Sequence, residues 1–311
     1  MKNERAPKHS NRIIGLIEGD NPGPYIIALG GIHGNEPAGI QALEDIFSRL
    51  KNTEWPFHGH LLALRGNIAA LKKKQRYIDE DMNRIWFPSI IDEIRKTPQG
   101  NLASSERREI KDVLRILDKF LPEETDQPII FADLHSFSAE GNMFAISARK
   151  QAHLNLFDDL SVPLIFGIEK TLRGAALSYY QKQNYITFAL EGGQHKDQST
   201  VPNIIASMLS MLTEAGCLDA TNHPSLARRK AYLAEYNKHI PSQVELVYQH
   251  LIEPDDQFKM RPGFKNFEPI TKGQWLATDR HGKITARCDG YMLMPLYQKQ
   301  GNDGFFITQE I

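Results

Sequence analysis

Cysteine is scarce in this chain. Its 311 residues include two, Cys217 and Cys288, far apart and in no CxxC or ligand-like spacing. That excludes a disulfide framework and fits free thiols in a cytoplasmic protein. An excess of one charge sign is also missing. Lys plus Arg number 37 against 38 Asp plus Glu, for a net charge of -1. No global field therefore steers the chain to nucleic acid or to an anionic membrane, and only a local basic pocket stays open. No apolar run approaches the roughly 20 residues of a membrane span. The opening MKNERAPKHSNR has no apolar h-region, so no secretory signal is expected. Internal repeats and low-complexity stretches are absent. What is present is an ordinary folded composition, 41% apolar and 24% charged. The length suits one large domain with a core of its own and room for a smaller one.

The chain alternates short apolar runs with helical spacing. Tyr25-Ile26-Ile27-Ala28-Leu29, ending in Gly30-Gly31, reads as a buried parallel strand. Pro37 stands where a first helical turn would begin, and Ile40, Leu43, Ile46, Phe47 and Leu50 continue at helical spacing. Leu61–Leu64, Ile129–Ala132, Met143–Ile146 and Tyr185–Leu190 are further strand candidates. Residues 105–120, 172–182 and 200–214 read as helices, with Pro202 tolerated in a first turn, and 88–101 reads as partly irregular. This alternation predicts an α/β fold, a mostly parallel or mixed sheet flanked by helices. After Gly216 the pattern changes. Val244–Tyr248 opens a stretch of shorter strand candidates punctuated by glycines. We divide the chain into a catalytic domain, 1–224, and a smaller C-terminal β-rich domain, 225–311, that borders the site.

Four polar clusters follow apolar runs, where the carboxyl ends of parallel strands place ligands. In Gly30-Gly31-Ile32-His33-Gly34-Asn35-Glu36, His33 and Glu36 can face one centre from a tight turn, and an imidazole with a carboxylate suits Zn²⁺. Taken alone, the pair equally fits a solvated helix start. Asp133-Leu134-His135-Ser136 offers one more imidazole, and Asp133 could accept a ligand's ring N–H. His33, Glu36 and His135 together have the composition of a catalytic zinc site with one open position. Arg76-Tyr77-Ile78-Asp79-Glu80-Asp81-Met82-Asn83-Arg84 fits no amphipathic pattern. It reads as a charged loop, or as arginines for gripping a carboxylate or an oxyanion. Glu191-Gly192-Gly193 places a carboxylate at a strand end, as a cap or as a general base and acid. His58, His60, His223 and His281 have turn-like surroundings and read as surface residues, while His195 stays open as a substrate contact. Lys72-Lys73-Lys74-Gln75-Arg76 is a solvated run or a field drawing in an acidic substrate.

In order and rough spacing, GGIHGNE, RYIDEDMNR, DLHS and ALEGG resemble the succinylglutamate desuccinylase and aspartoacylase family, a branch of the zinc carboxypeptidase-like hydrolases. FKNFEPITKGQWLA and DGYMLMPLYQ extend the likeness into that family's C-terminal β domain, so it covers about residues 25–311. The resemblance implies one Zn²⁺ per chain, held by His33, Glu36 and His135. It implies Glu191 as the catalytic glutamate, Arg76 as the oxyanion arginine, and Asn83 with Arg84 as binders of the substrate's α-carboxylate. Where the family reads DLNR, this chain has Asp81-Met82-Asn83-Arg84, an apolar-for-apolar change. Aspartoacylase also has a tyrosine and an arginine before its catalytic glutamate. Here the candidate is Arg173 in Thr171-Leu172-Arg173-Gly174-Ala175, and the acyl specificity stays open. Tyr291 and Tyr297 are candidates for a residue reaching in from the β domain.

The expected activity is a zinc-dependent amidohydrolase that removes a short acyl group from an N-acyl amino acid. The alternatives are a metallocarboxypeptidase acting on peptides and a non-catalytic small-molecule binding protein. The expected partner is a small-molecule N-acyl amino acid. No nucleic acid and no membrane are expected, and assembly into a homo-oligomer is left open.

Overall fold

The computed structural model describes residues 11–51, 56–157, 160–219 and 224–311. Eleven strands among these residues form one twisted sheet. They are β1 (Ile13–Glu18), β2 (Asn21–Gly30), β3 (His58–Arg65), β4 (Ile129–Phe137), β5 (Phe144–Ser147), β6 (Leu164–Phe166), β7 (Ile186–Gln194), β8 (Gln243–Leu251), β9 (Pro269–Ile270), β10 (Gly290–Leu293) and β11 (Asp303–Glu310). Their spatial order is β1-β3-β2-β4-β7-β5-β6-β8-β11-β10-β9. The sheet is mixed. The block β3-β2-β4-β7 is parallel, as is β5-β6-β8. The block β8-β11-β10-β9 is antiparallel.

Both faces of the central strands are covered, which explains their unbroken apolar runs. Ile26 and Ala28 of β2 belong to a core shared with Leu43, Ile46 and Phe47 of helix α1 (Ala38–Lys51). Ile27 and Leu29 turn the other way, into a core with Phe131 of β4 and with Val113, Leu114 and Leu117 from the helix Ser105–Phe120. That helix is the one expected at 105–120, and its start is fixed by Ser104, whose hydroxyl accepts from Arg107 N–H at 3.1 Å. Thr200–Glu214 is helical as expected, with Pro202 in its first turn.

Three local expectations change. Residues 88–96 are an α-helix, with Pro88 at its start and Ile91 and Ile94 buried in the core. Ile90, Ile91 and Ile94 recur at helical spacing on one face, a short pattern that Pro88 and the irregular residues after Lys96 mask. The stretch 172–182 is helical only over Ala176–Gln181. Gly174, at φ +70°, breaks it, because a Cβ there would stand 2.2 Å from the Arg84 carbonyl oxygen. His58 and His60 are not surface turn residues, since both are half-buried on β3. His60 stacks on Tyr25 with ring centroids 4.5 Å apart. His281 is exposed, and His223 lies outside the described residues.

The segment from 225 onward begins inside a helix, Pro224–Asn237, before its strands start. Of these, β8, β11, β10 and β9 join the main sheet, and Lys259–Met260, Trp275–Asp279 and Gly282–Thr285 form a separate three-stranded sheet. No helix among the described residues is long and apolar enough to cross a membrane.

Candidate metal centre and its cavity

The site stands on the carboxyl ends of the adjacent parallel strands β2, β4 and β7. From β2 the chain crosses to β3 on one side, while β4 lies on the other, and such a divergence opens a crevice above the strand ends. Register then fixes which side chains meet there. His135 of β4 lies opposite Glu191 of β7, and Asp133 lies opposite Ala189. Side chains alternate along a strand, so Asp133, His135, Ala189 and Glu191 share one face.

Beyond β2, the loop from Gly31 to Pro37 brings His33 and Glu36 to the same point. Gly34 lets this loop lie against the helix Ile68–Lys73, where an added Cβ would stand 2.1 Å from the Ala70 carbonyl carbon. At β7, Gly192 serves the same purpose for the helix Thr200–Glu214, since a Cβ there would come within 2.4 Å of Ile204 Cγ1.

His33, Glu36 and His135 are all buried, and one donor atom from each lies within 4.8 Å of the others. His33 Nδ1 is 3.0 Å from Glu36 Oε1 but forms no hydrogen bond. His135 Nδ1 is 2.9 Å from Glu36 Oε2. The outer nitrogens are tied to carboxylates. His33 Nε2 donates to Asp81 Oδ1 at 3.1 Å, and His135 Nε2 is 2.9 Å from Asp133 Oδ2. A carboxylate on each Nε2–H turns both Nδ1 atoms toward Glu36, the arrangement that orients histidines around zinc, and the proton that His135 Nδ1 shares with Glu36 stands where such an ion would bind. Two imidazoles and a carboxylate, with one His33 nitrogen close to an oxygen it does not bond, fit a four-coordinate zinc site with an open position.

The charges in the cluster act strongly on one another. Burial works against the charge on Glu36, but His33 and His135 carry its carboxyl well below the usual range. Burial likewise opposes charge on His135, yet Asp133 and Glu36 hold its imidazole well above the usual histidine range. Asp81 is held well below the carboxylate range by Arg76 and His33, against the effect of burial. Glu191 differs, because burial dominates and pushes its carboxyl up to about 7. Its Oε2 is buried without a hydrogen-bond partner. His33, Glu36, Asp133, His135 and Glu191 line a cavity of about 100 Å³ together with Arg76, Asn83 and Arg84, with Asp81 behind it.

Arg76 turns inward while Lys72, Lys73 and Lys74 remain exposed. Its Nε donates to Asp81 Oδ2 at 3.0 Å and its Nη1 to Glu36 Oε1 at 3.3 Å. Asn83 is oriented from behind, because Ala176 N–H donates to its Oδ1 at 2.9 Å, leaving Nδ2 3.3 Å from Asp133 Oδ2. Arg84 Nη2 donates to Asp303 Oδ2 at 2.6 Å.

The cavity does not include Arg173. That side chain is exposed and lines an outer groove with Phe87 and Tyr179, because the chain alternates at this point and turns Leu172 inward instead. Tyr291 and Tyr297 do not line the cavity either. The Tyr297 hydroxyl donates to the Arg261 carbonyl and accepts from Phe264 N–H. The residues that reach in from the C-terminal segment are Met294, Leu296, Gln298, Gly301, Asp303 and Phe306. Gln298 Oε1 accepts from Asn35 Nδ2 at 2.9 Å and lies 3.3 Å from His195 Nε2. His195 Nδ1 in turn is 2.8 Å from Ser136 Oγ, so His195 supports the cavity's rim from outside. Asp303, at the start of β11, carries no sequence signal of its own, and Gln298 closes the DGYMLMPLYQ segment, in which the sequence singles out only the tyrosines. Asp81 was visible within its motif, but its double grip was not.

A family model for the succinylglutamate desuccinylase/aspartoacylase catalytic domain matches residues 22–215. A succinylglutamate desuccinylase of Pseudomonas putida KT2440 is 38% identical over 69 residues, which is 22% of this chain and 21% of that protein. One from Shewanella frigidimarina is 22% identical over 267 residues, covering 82% of this chain and 72% of that protein. Among solved structures, a succinylglutamate desuccinylase/aspartoacylase from Rhodobacter sphaeroides has a TM-score of 0.66 at 16% identity, covering 95% of this chain and 88% of that one. The succinylglutamate desuccinylase of Vibrio cholerae gives 0.62 at 17% identity, covering 94% and 82%. At these identities the structures show a shared fold.

Proposed function

The chain belongs to the succinylglutamate desuccinylase/aspartoacylase family, and from that premise we propose that it is a zinc-dependent amidohydrolase that cleaves an N-acyl amino acid. The observation that carries this reading is the meeting of His33, Glu36 and His135 with the unpartnered carboxylate of Glu191 in one buried cavity.

In this reading His33, Glu36 and His135 hold one zinc ion. Bound there, zinc supplies a Lewis acid and a water acidified toward neutral pH. Glu191 takes a proton from the attacking water and returns it to the leaving amine, which its burial suits because its proton affinity lies near neutrality. Arg76, fixed through Nε and Nη1, directs its remaining donors at the oxyanion that develops on the carbonyl oxygen. Arg84 binds the α-carboxylate of the amino acid, and Asn83 shapes the adjacent wall. Products are the free acid and the amino acid.

The residues from 225 onward act as the border of the site. With Leu296 and Gln298 at its rim, a cavity of about 100 Å³ favours a small acylated amino acid over a long peptide. The test is amine release from a panel of N-acyl amino acids, with zinc content measured on the same sample and Glu191→Ala as control. Turnover that requires both zinc and Glu191 supports the reading. Stoichiometric zinc with no release above the control, on this panel and on peptides, overturns it.

A further inference from the structure

Three of the four relatives reported above are named succinylglutamate desuccinylases, and a succinylated glutamate carries three carboxylates. This cavity has charge partners for far fewer. Among the described residues that line it, the only arginines or lysines are Arg76 and Arg84. Arg76 gives Nε to Asp81 and Nη1 to Glu36, and in the deacylase reading its remaining donors serve the oxyanion. Arg84 gives Nη2 to Asp303 and Nη1 to the Asn83 carbonyl at 2.9 Å, keeping free donors for one carboxylate. Both ring nitrogens of the neighbouring His195 are already engaged, by Ser136 and Gln298. Arg173, the one cation that could have served the acyl side, is outside.

One wall of the cavity is instead apolar. Ile146 lies opposite Ala189 in the sheet, and both belong to one packed cluster with Phe137, Leu177 and Phe306, against which Leu172 also rests. All six line the cavity. A carboxylate placed on this wall would lose its water and find no partner. On the other side stands Asp303, held at both oxygens, by Arg84 at 2.6 Å and by Gln249 Nε2 at 2.7 Å. A fixed carboxylate there repels a second acid close to Arg84.

We infer that this cavity takes amino acids bearing a short, uncharged acyl group and has no place for a second substrate carboxylate, whether on the acyl chain or on the amino-acid side chain. The inference rests on the deacylase reading and sharpens it. Asp303 is then a specificity-determining residue that works by excluding acidic side chains, while the apolar wall excludes succinyl.

The experiment compares N-acetylglutamine, N-acetylglutamate, N-succinylglutamine and N-succinylglutamate on the zinc-loaded protein. N-acetylglutamine is expected to exceed N-succinylglutamate in kcat/KM by at least about 100-fold. Asp303→Asn is expected to raise the glutamate-to-glutamine ratio about tenfold while leaving the acetyl-to-succinyl ratio unchanged, since it alters only one side of the cavity. A second readout needs no turnover: on the metal-free protein, N-acetylglutamine raises the melting temperature and N-succinylglutamate at equal concentration does not. Zinc-dependent turnover that favours N-succinylglutamate overturns the inference and leaves the deacylase reading intact. Absence of turnover on every acyl amino acid overturns the deacylase reading, and the inference with it.

Discussion

Asp81 Oδ1 lies 3.1 Å from His33 Nε2. Its other oxygen holds Arg76 Nε at 3.0 Å, so one carboxylate fixes both the proposed zinc ligand His33 and the arginine beside it. Asp81→Asn removes the charge and leaves the shape. Zinc affinity is expected to fall about 10–100-fold, with a parallel loss in kcat/KM. Competition with a chromophoric chelator reads the first effect. Unchanged affinity would show that the Asp81 contact does not orient His33.

Glu191→Gln keeps the size of the side chain and removes the base. We expect kcat/KM to drop about 10²–10⁴-fold with zinc content unchanged. The sign of the pH dependence follows from burial, which pushes this carboxyl up to about 7. The anion is the active form, so the rate rises with pH as Glu191 loses its proton. A cation bound between His33, Glu36 and His135 favours the anion and moves the limb down. The acid limb of kcat/KM should therefore lie at or below about 7. A limb well above that value would place the base elsewhere.

Gly34→Ala tests how closely the metal loop is packed. The new Cβ meets the Ala70 backbone, which cannot swing aside as a side chain would. A loss of about 1–3 kcal/mol is expected from overpacking, together with weaker zinc retention because His33 is the adjacent residue. Gly100→Ala is the control, since nothing lies within 4 Å of that position. Thermal unfolding and zinc content measured on both variants decide it. Equal behaviour would mean that the loop relaxes freely.

The two cysteines should separate under a thiol reagent. Cys217 is buried among apolar residues and its thiol is pushed up to about 12, so at pH 8 almost none of it is thiolate. Cys288 is only partly buried. Native protein is expected to titrate one thiol promptly, and denatured protein two. Prompt reaction of both in the native state would contradict the packing around Cys217.

Much of the site was legible because its residues follow strand ends. An apolar run that stops at a polar cluster marks a carboxyl end whichever strands become its neighbours. On that basis His33, Glu36, His135 and Glu191 could be singled out as candidates and Asp133 placed behind His135, while the family resemblance supplied their expected roles. Arg173 went the other way, because one residue decides which side of an irregular segment faces in, and Gly174 sets that turn by packing on the Arg84 carbonyl. The tyrosines of the C-terminal segment were drawn by residue type alone, while packing gave the position to Gln298 and Asp303.

By itself the sequence determined the chemistry on offer. Two imidazoles, a carboxylate and a glutamate base stand in motifs whose spacing survives any detail of packing, and the alternation of strand and helix is written in local hydrophobic periodicity. Only the tertiary structure decided what that chemistry can act on. Whether a cation is free or already paired depends on partners far apart in the chain. Asp303 takes one Arg84 donor across 219 positions, and no local pattern records such a contact. The same long-range packing turned Leu172 inward and Arg173 outward, which gave the cavity an apolar wall where a second charge could have stood.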